Sequence, residues 1–95
     1  MDITDDQIKK AIVGIAIEKV LLEMGQPIFD TFTKRLYKNY NCYIPDCSDH
    51  PEYLNQILKE MYGNSSKTIV DKITSSLAEF SYQKHIADFI KIIND

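Results

Sequence analysis

The most apolar stretch of the chain runs from Ala11 to Met24, and its pattern is that of a helix with two apolar sides. A helix of this kind needs two partners. It either lies in the middle of a bundle, or gives one side to its own core and the other to a second copy of the chain. At 100° per residue, face A carries Ile8, Ala11, Ile12, Ile15 and Leu22, and the opposite face B carries Val13, Ala16, Ile17, Val20 and Met24.

Capping and turn residues predict where the first two helices begin and end. Thr4 or Asp5 is a suitable N-cap for helix one, and the Gly25-Gln26-Pro27 sequence ends it. Helix two then runs from about Ile28 to Tyr40 with a single apolar stripe. The segment from Asn41 to Asp49 is rich in Asn, Cys, Pro, Asp and Ser, so we expect an irregular loop there.

Similar signals predict two further helices. Asp49 is placed as the N-cap of helix three, with Glu52 three residues later as in a capping box. Gly63-Asn64 ends that helix, and Ser65 caps helix four. The apolar stripes of these two helices consist of Tyr53, Leu54, Ile57, Leu58 and Met61, and of Ile69, Val70, Ile73, Leu77 and Phe80.

The last segment has a stripe of its own, which leaves two arrangements open. If the helix continued unbroken from helix four, the two stripes would lie roughly 200° apart around its axis. Either the chain bends near Ser81 so that both stripes reach one core, or one long helix offers its second half to another chain. The last stripe consists of Tyr82, Ile86, Phe89, Ile90 and Ile93.

Length and composition place the chain in one class. Its 95 residues suffice for a single domain, 1–95, and the 44% hydrophobic and 26% charged residues are ordinary for a globular protein. The apolar run of helix one contains Glu18 and Lys19 and is too short for a membrane span. The acidic N-terminal sequence lacks the basic region of a secretory signal, so we expect a cytoplasmic protein without membrane contact.

The charge pattern disfavours nucleic acid as a partner. The net charge is −3, whereas nucleic-acid binders use clustered Lys and Arg to neutralise phosphates. The one cationic segment consists of Lys34, Arg35 and Lys38, interleaved with Tyr37 and Tyr40. Three cations on one amphipathic helix are more typical of a solvated face.

Cys42, Cys47 and His50 are the only cluster of residues with metal-binding or nucleophilic chemistry. A structural zinc site uses four ligands, and no second pair follows, so we expect neither a metal site nor another cofactor. A disulfide between the cysteines would close a very short loop, and a cysteine nucleophile would need His50 as its base. The sequence therefore predicts no enzyme, and it favours cysteines that pack as small apolar side chains.

Several short motifs of the chain are shared with a known helical family. The main motifs are Glu23-Met24-Gly25-Gln26-Pro27, Cys42-Tyr43-Ile44-Pro45-Asp46-Cys47 and His50-Pro51-Glu52-Tyr53-Leu54, and the match extends through Tyr62-Gly63 and the segment from Phe80 to Lys84. In these segments the chain resembles the thaumarchaeal helical family called the Nitrosopumilus output domain. The resemblance implies an archaeal intracellular domain on the output side of signalling or regulatory systems, with no catalytic residues to transfer.

These observations together predict an all-α, single-domain bundle of about five helices packed around helix one. The expected function is that of a non-enzymatic regulatory module that binds a protein partner and forms a homodimer. A DNA-binding regulator and a metal-binding or redox-sensing domain at Cys42, Cys47 and His50 are the alternatives. The predicted dimer interface consists of Val13, Ile17 and Val20, with Ile86, Phe89 and Ile93 as the second choice.

Overall fold

The computed structural model describes residues 5–95, and within them the chain is helical with no strand. The prediction of an all-α class is therefore confirmed for this part of the chain, while Thr4, one of the two predicted N-caps, lies outside it. Short 3₁₀ segments, η1 (Ile44–Ser48), η2 (Gly63–Ser65) and η3 (Ala78–Phe80), join some of the helices. The α-helices are α1 (Asp5–Met24), α2 (Gln26–Tyr40), α3 (Pro51–Tyr62), α4 (Ser66–Leu77) and α5 (Lys84–Ile93).

One hydrophobic core receives side chains from all of these helices and from η1. Phe32 and Phe89 are the largest fully buried side chains. The members from η1 are Ile44 and Cys47, so the segment between α2 and α3 is part of the core and not a solvent loop. The core members from α3 and α4 are Leu54, Ile57, Leu58, Ile69, Val70, Ile73 and Leu77.

Face B of α1 is buried inside the single chain, and this corrects the predicted dimer interface. The six predicted interface residues are at most 3% exposed. Helix α1 packs against α2, α4, α5 and η1, and α5 packs against α1, α3 and α4, so none of these buried residues is available to a second copy. The residues concerned are Val13, Ile17, Val20, Ile86, Phe89 and Ile93.

Face A of α1, in contrast, faces solvent over much of its length. Ile8, Ile15 and Leu22 are exposed, and Ile12 is half-buried. Helix α1 therefore lies at the side of the bundle, not in its middle as predicted. Helical periodicity identified two apolar faces, but only the packing of the other helices decides which of them becomes core.

The first two helices are separated by a single residue. Gly25 has φ 125° and ψ 149°, a conformation that glycine adopts readily and other residues rarely do. Helix α2 begins at Gln26, two residues before the predicted start, with Pro27 in its first turn, where a missing N–H costs no hydrogen bond. The tight junction folds α2 back against α1 at once.

The start of α3 differs from the prediction. His50, not Asp49, occupies the N-cap position, and no side chain caps the helix. The Asp49 carboxylate lies 3.4 Å from the Lys10 ammonium instead, which joins the end of η1 to α1. Gly63 ends α3 as predicted, and Ser65 stands at the N-cap of α4 without a capping hydrogen bond from its side chain.

A bend separates α4 from α5, which decides between the two arrangements left open by the sequence. The segment Ala78–Phe80 is a 3₁₀ turn, and Gln83 is the N-cap of α5. The Ser81 hydroxyl donates a hydrogen bond to the carbonyl oxygen of Ala78 at 2.7 Å. Both stripes consequently reach one core, except that Tyr82, placed in the last stripe from the sequence, is 79% exposed.

Two isoleucines on α1 provide a matched test of this arrangement. Replacing the fully buried Ile17 by Ala should lower the free energy of unfolding by about 2–4 kcal/mol, because it leaves a cavity in the core. The same change at the exposed Ile15 should cost less than about 0.5 kcal/mol. Urea unfolding curves of both variants would measure the difference, and equal losses would contradict the assignment of face B to the core.

Candidate interaction surface

A line of exposed apolar side chains runs along the outer side of α1. Ile8, Ile15 and Leu22 follow one another at intervals of seven residues, and two helical turns return the chain to almost the same direction. Their side chains are 36%, 66% and 46% exposed, respectively. We call these three residues the α1 stripe. Isolated exposed apolar residues are common on protein surfaces, whereas these three lie along one side of a single helix. Ala11 and Ile12 lie between the first two of them, and Glu18 and Lys19 lie between the last two.

A groove runs between α1 and the C-terminal end of α4 on one side of Ile15. Its volume is about 360 Å³, and we call it groove 1. Small residues at the contact between the two helices, Ala16, Ser75 and Ser76, leave this space open. A second cavity of about 530 Å³, between Lys19 and Glu23 of α1 and Asp71 and Lys72 of α4, continues it. The remaining lining residues of groove 1 are Ile12, Ile15, Lys19, Glu79 and Phe80.

A smaller cleft lies on the other side of Ile15, and we call it groove 2. It has a volume of about 200 Å³ and is formed where Pro45 of η1 approaches Gly14 of α1. Its other lining residues are Lys10, Ala11, Ile15 and Glu18. Ile15 therefore forms a ridge with a groove on each side. Packed helices contact one another through ridges and grooves of this kind.

Charged groups stand at the edges of this relief. Lys19 and Glu79 both line groove 1, and Glu18 lines groove 2. Within residues 5–95 none of these three takes part in an ion pair. Lys10, which also lines groove 2, lies between the carboxylates of Asp49 and Asp6. The surface thus offers an apolar centre with ionic groups at its margins, as protein interfaces do.

The sequence contained the signal for this surface, but the prediction chose the opposite face. The α1 stripe belongs to face A, which was identified from its helical spacing. Face A and face B have similar apolar content, so the pattern alone does not rank them. Exposure separates them only once α2, α4 and η1 have packed against face B.

The candidate metal and redox residues are each buried or in contact with other groups of the chain. Cys47 is fully buried, and the half-buried Cys42 thiol lies 3.3 Å from the carbonyl oxygen of Tyr40. The His50 ring stacks on Tyr53, with its Nδ1 3.2 Å from the Glu52 carboxylate. Nowhere in the described chain do three His, Cys, Asp or Glu side chains converge as metal ligands would.

Burial also determines the chemistry of the Cys47 thiol. Loss of solvation is the main cause that raises its pKa to about 12, and the neighbouring Cys42 adds to the shift. A thiol attacks electrophiles and disulfides as its thiolate, which is scarce at neutral pH when the pKa is this high. Cys47 is therefore a packing residue and not a nucleophile.

The cationic segment of α2 is partly occupied by contacts within the chain. The Arg35 guanidinium lies 3.7 Å from the Glu60 carboxylate of α3. The Tyr40 ring stacks on Tyr53 with 3.9 Å between the ring centroids. Lys34 and Lys38 remain exposed, as does Tyr37, whose ring contacts Tyr43. Two exposed lysines form a weak electrostatic patch for a nucleic-acid backbone.

Comparison with other proteins adds no functional information. No known protein family, characterised protein or solved structure matches the chain. Among residues 5–95, none of the helices has the length and apolar composition required to cross a bilayer.

The contacts of Cys42, Cys47 and His50 predict that the fold does not depend on metal. Adding a chelator such as EDTA should leave the urea midpoint unchanged, because these side chains already pack or bond within the protein. Metal analysis of protein purified without chelator provides the second measurement. Stoichiometric zinc together with unfolding in EDTA would contradict this prediction.

The two cysteines should differ strongly in their reaction with iodoacetamide. At pH 8 a thiol with a pKa near 12 is about one part in 10⁴ thiolate, and burial adds a steric barrier. Cys42 should therefore be alkylated first, and Cys47 only after unfolding in urea. Mass spectrometry of the Cys42→Ser and Cys47→Ser variants identifies the labelled residue. Rapid labelling of folded Cys42→Ser would show that Cys47 is accessible.

Proposed function

We propose that the chain is a non-enzymatic regulatory module that binds a protein partner through the outer surface of α1. The observation that carries the proposal is the relief around Ile15. A side chain that is 66% exposed forms a ridge between two grooves, within a stripe that continues to Ile8 and Leu22. Exposed large apolar side chains gathered on one side of a helix are a feature of interaction sites on small domains.

Burial of the α1 stripe by a partner would remove apolar surface from water. Fully burying an exposed Ile or Leu side chain contributes about 1.5–3 kcal/mol, so the three partly exposed residues would supply several kcal/mol together. Amphipathic helices are commonly recognised in this way, with apolar residues at helical spacing placed into a neighbouring groove. The ionic groups beside the grooves would give such a contact its orientation.

The resemblance of the Glu23–Pro27 and Cys42–Cys47 segments to the Nitrosopumilus output domain supports a regulatory role. A domain on the output side of a signalling system transmits its state through contacts with other proteins. On that expectation we propose that the chain acts in an archaeal cytoplasm, as the interaction part of a regulatory system. The proposal needs no catalytic residue or cofactor.

The two alternatives have weaker support. A DNA-binding regulator would use the cationic segment of α2, where the exposed Arg35 is already paired with Glu60 and Lys34 and Lys38 are exposed. A metal-binding or redox-sensing domain would use Cys42, Cys47 and His50, which do not converge as metal ligands in the described chain. Salt-dependent retention on DNA and metal analysis, respectively, would test them.

Paired Ile→Glu variants test the proposed surface directly. Ile15 lies on the α1 stripe and is 66% exposed, whereas Ile92 is an exposed isoleucine of α5, outside the stripe, with 46% exposure. Ile15→Glu should abolish capture of a protein partner from native cell extract, because it places a charge in the centre of the apolar contact. Ile92→Glu should capture the same partner as the wild type.

Circular dichroism and urea unfolding provide the control that both variants fold. A partner identified by mass spectrometry in the wild-type and Ile92→Glu samples, and absent from the Ile15→Glu sample, would support the proposal. Equal capture by all three proteins would contradict it.

A further inference from the structure

We propose that the α1 surface binds a second copy of the chain, with the two α1 helices antiparallel across a two-fold axis near Ile15. This inference rests on the proposed function, since it names the partner of the same surface. It replaces the contact predicted from the sequence, because that contact used face B, which is core.

The spacing of the α1 stripe is symmetric about Ile15. Ile8 and Leu22 lie seven residues to either side, which is about 10.5 Å along the helix axis. Reversal of a second α1 about Ile15 therefore places Ile8 of each copy against Leu22 of the other. A two-fold contact requires a patch that is complementary to itself, and this stripe satisfies that condition.

The two-fold axis also decides which grooves face one another. A ridge at Ile15 has groove 1 on one side and groove 2 on the other. A two-fold axis across α1 keeps each groove on its own side, so groove 1 of one copy faces groove 1 of the other and the two Ile15 side chains meet at the axis.

Charge complementarity favours the antiparallel orientation. Glu79 lines groove 1 together with Ile12, on the N-terminal side of Ile15, whereas Lys19 lies one turn beyond Ile15 on the same side of α1. Reversing the second copy brings its Lys19 to the level of Ala11, one residue from Ile12, and therefore to the end of groove 1 that Glu79 lines. The two-fold symmetry forms this Lys19–Glu79 ion pair twice. Neither side chain has an ion pair within the described chain, so both would gain one in the dimer.

The available area predicts a weak dimer. A helix of 20 residues is about 30 Å long and about 10 Å wide, so its outer face covers about 300 Å² before the groove walls are added. Stable complexes bury about 800 Å² per partner. The dimer should therefore be in equilibrium with monomer in the micromolar range or weaker, which suits a contact that is formed and released in regulation.

Sedimentation equilibrium of three proteins tests the proposal. Wild type and Ile92→Glu should show the same monomer–dimer equilibrium up to millimolar concentration. Ile15→Glu should dimerise at least tenfold more weakly, since the symmetry brings two carboxylates to the centre of an apolar contact. Circular dichroism verifies that each variant is folded. A wild type that stays monomeric, or an Ile15→Glu variant with an unchanged dissociation constant, would overturn the proposal.

A charge exchange tests the orientation. Lys19→Glu and Glu79→Lys should each weaken the dimer, because each places like charges opposite one another. The double variant should restore the wild-type dissociation constant, because it re-forms both pairs with reversed sign. Effects of the single variants that simply add in the double variant would contradict the antiparallel arrangement.

Disulfide trapping tests the antiparallel orientation of the two α1 helices independently. An equal mixture of Ile8→Cys and Leu22→Cys chains, each also carrying Cys42→Ser, is oxidised with copper phenanthroline. The mixed cross-link should dominate. A dominant cross-link between two Ile8→Cys chains would show a parallel pair and overturn the proposal.

These experiments distinguish the proposed dimer from the broader proposal that the α1 surface binds a protein partner. If the wild type is monomeric but captures another protein in an Ile15-dependent manner, the second copy is wrong and the proposed function stands. If neither sedimentation nor capture depends on Ile15, both proposals are wrong.

Discussion

The burial of face B of α1 is the interaction on which the rest of the structure depends. Val13 and Ile17 are completely inaccessible to solvent, and they meet side chains from several other elements in one core. Each residue of this type contributes about 1.5–3 kcal/mol through the removal of apolar surface from water. Because a chain of this size has a small core, loss of one such contact is a large share of its stability.

The segment η1 closes the core on the side of α1 that α2 and α4 leave open. Ile44 and Cys47 enter the core, and Pro45 packs over Gly14. A hydrogen bond within this part of the chain stabilises the conformation of η1: the Asp46 carboxylate accepts it from the backbone N–H of Tyr43 at 2.9 Å. Residues whose types suggest metal or redox chemistry thus act as packing residues, and the raised pKa of the Cys47 thiol follows from that burial.

The same arrangement creates the surface on which the functional proposals rest. Small residues where α1 meets α4 leave groove 1, and the approach of η1 leaves groove 2. Ile15 lies between the two grooves because the opposite side of α1 is buried in the core. The proposed interaction surface therefore owes its position to the packing of the core. Its apolar composition is a separate feature, because polar residues at the α1 stripe would leave the core unchanged.

The sequence by itself determined the helical class, the ends of helices at Gly25 and Gly63, and the presence of two apolar faces on α1. These features depend on local chemistry: helical periodicity, the conformational freedom of glycine and the geometry of Pro27 and Pro51 at helix starts. The cap at Asp49 was predicted wrongly because its carboxylate bonds Lys10, a residue 39 positions earlier in the chain. Only the tertiary structure decided that face B is core and face A is surface, and that the chain bends between α4 and α5. Both outcomes depend on which helices pack together, and periodicity along one helix carries no information about its neighbours.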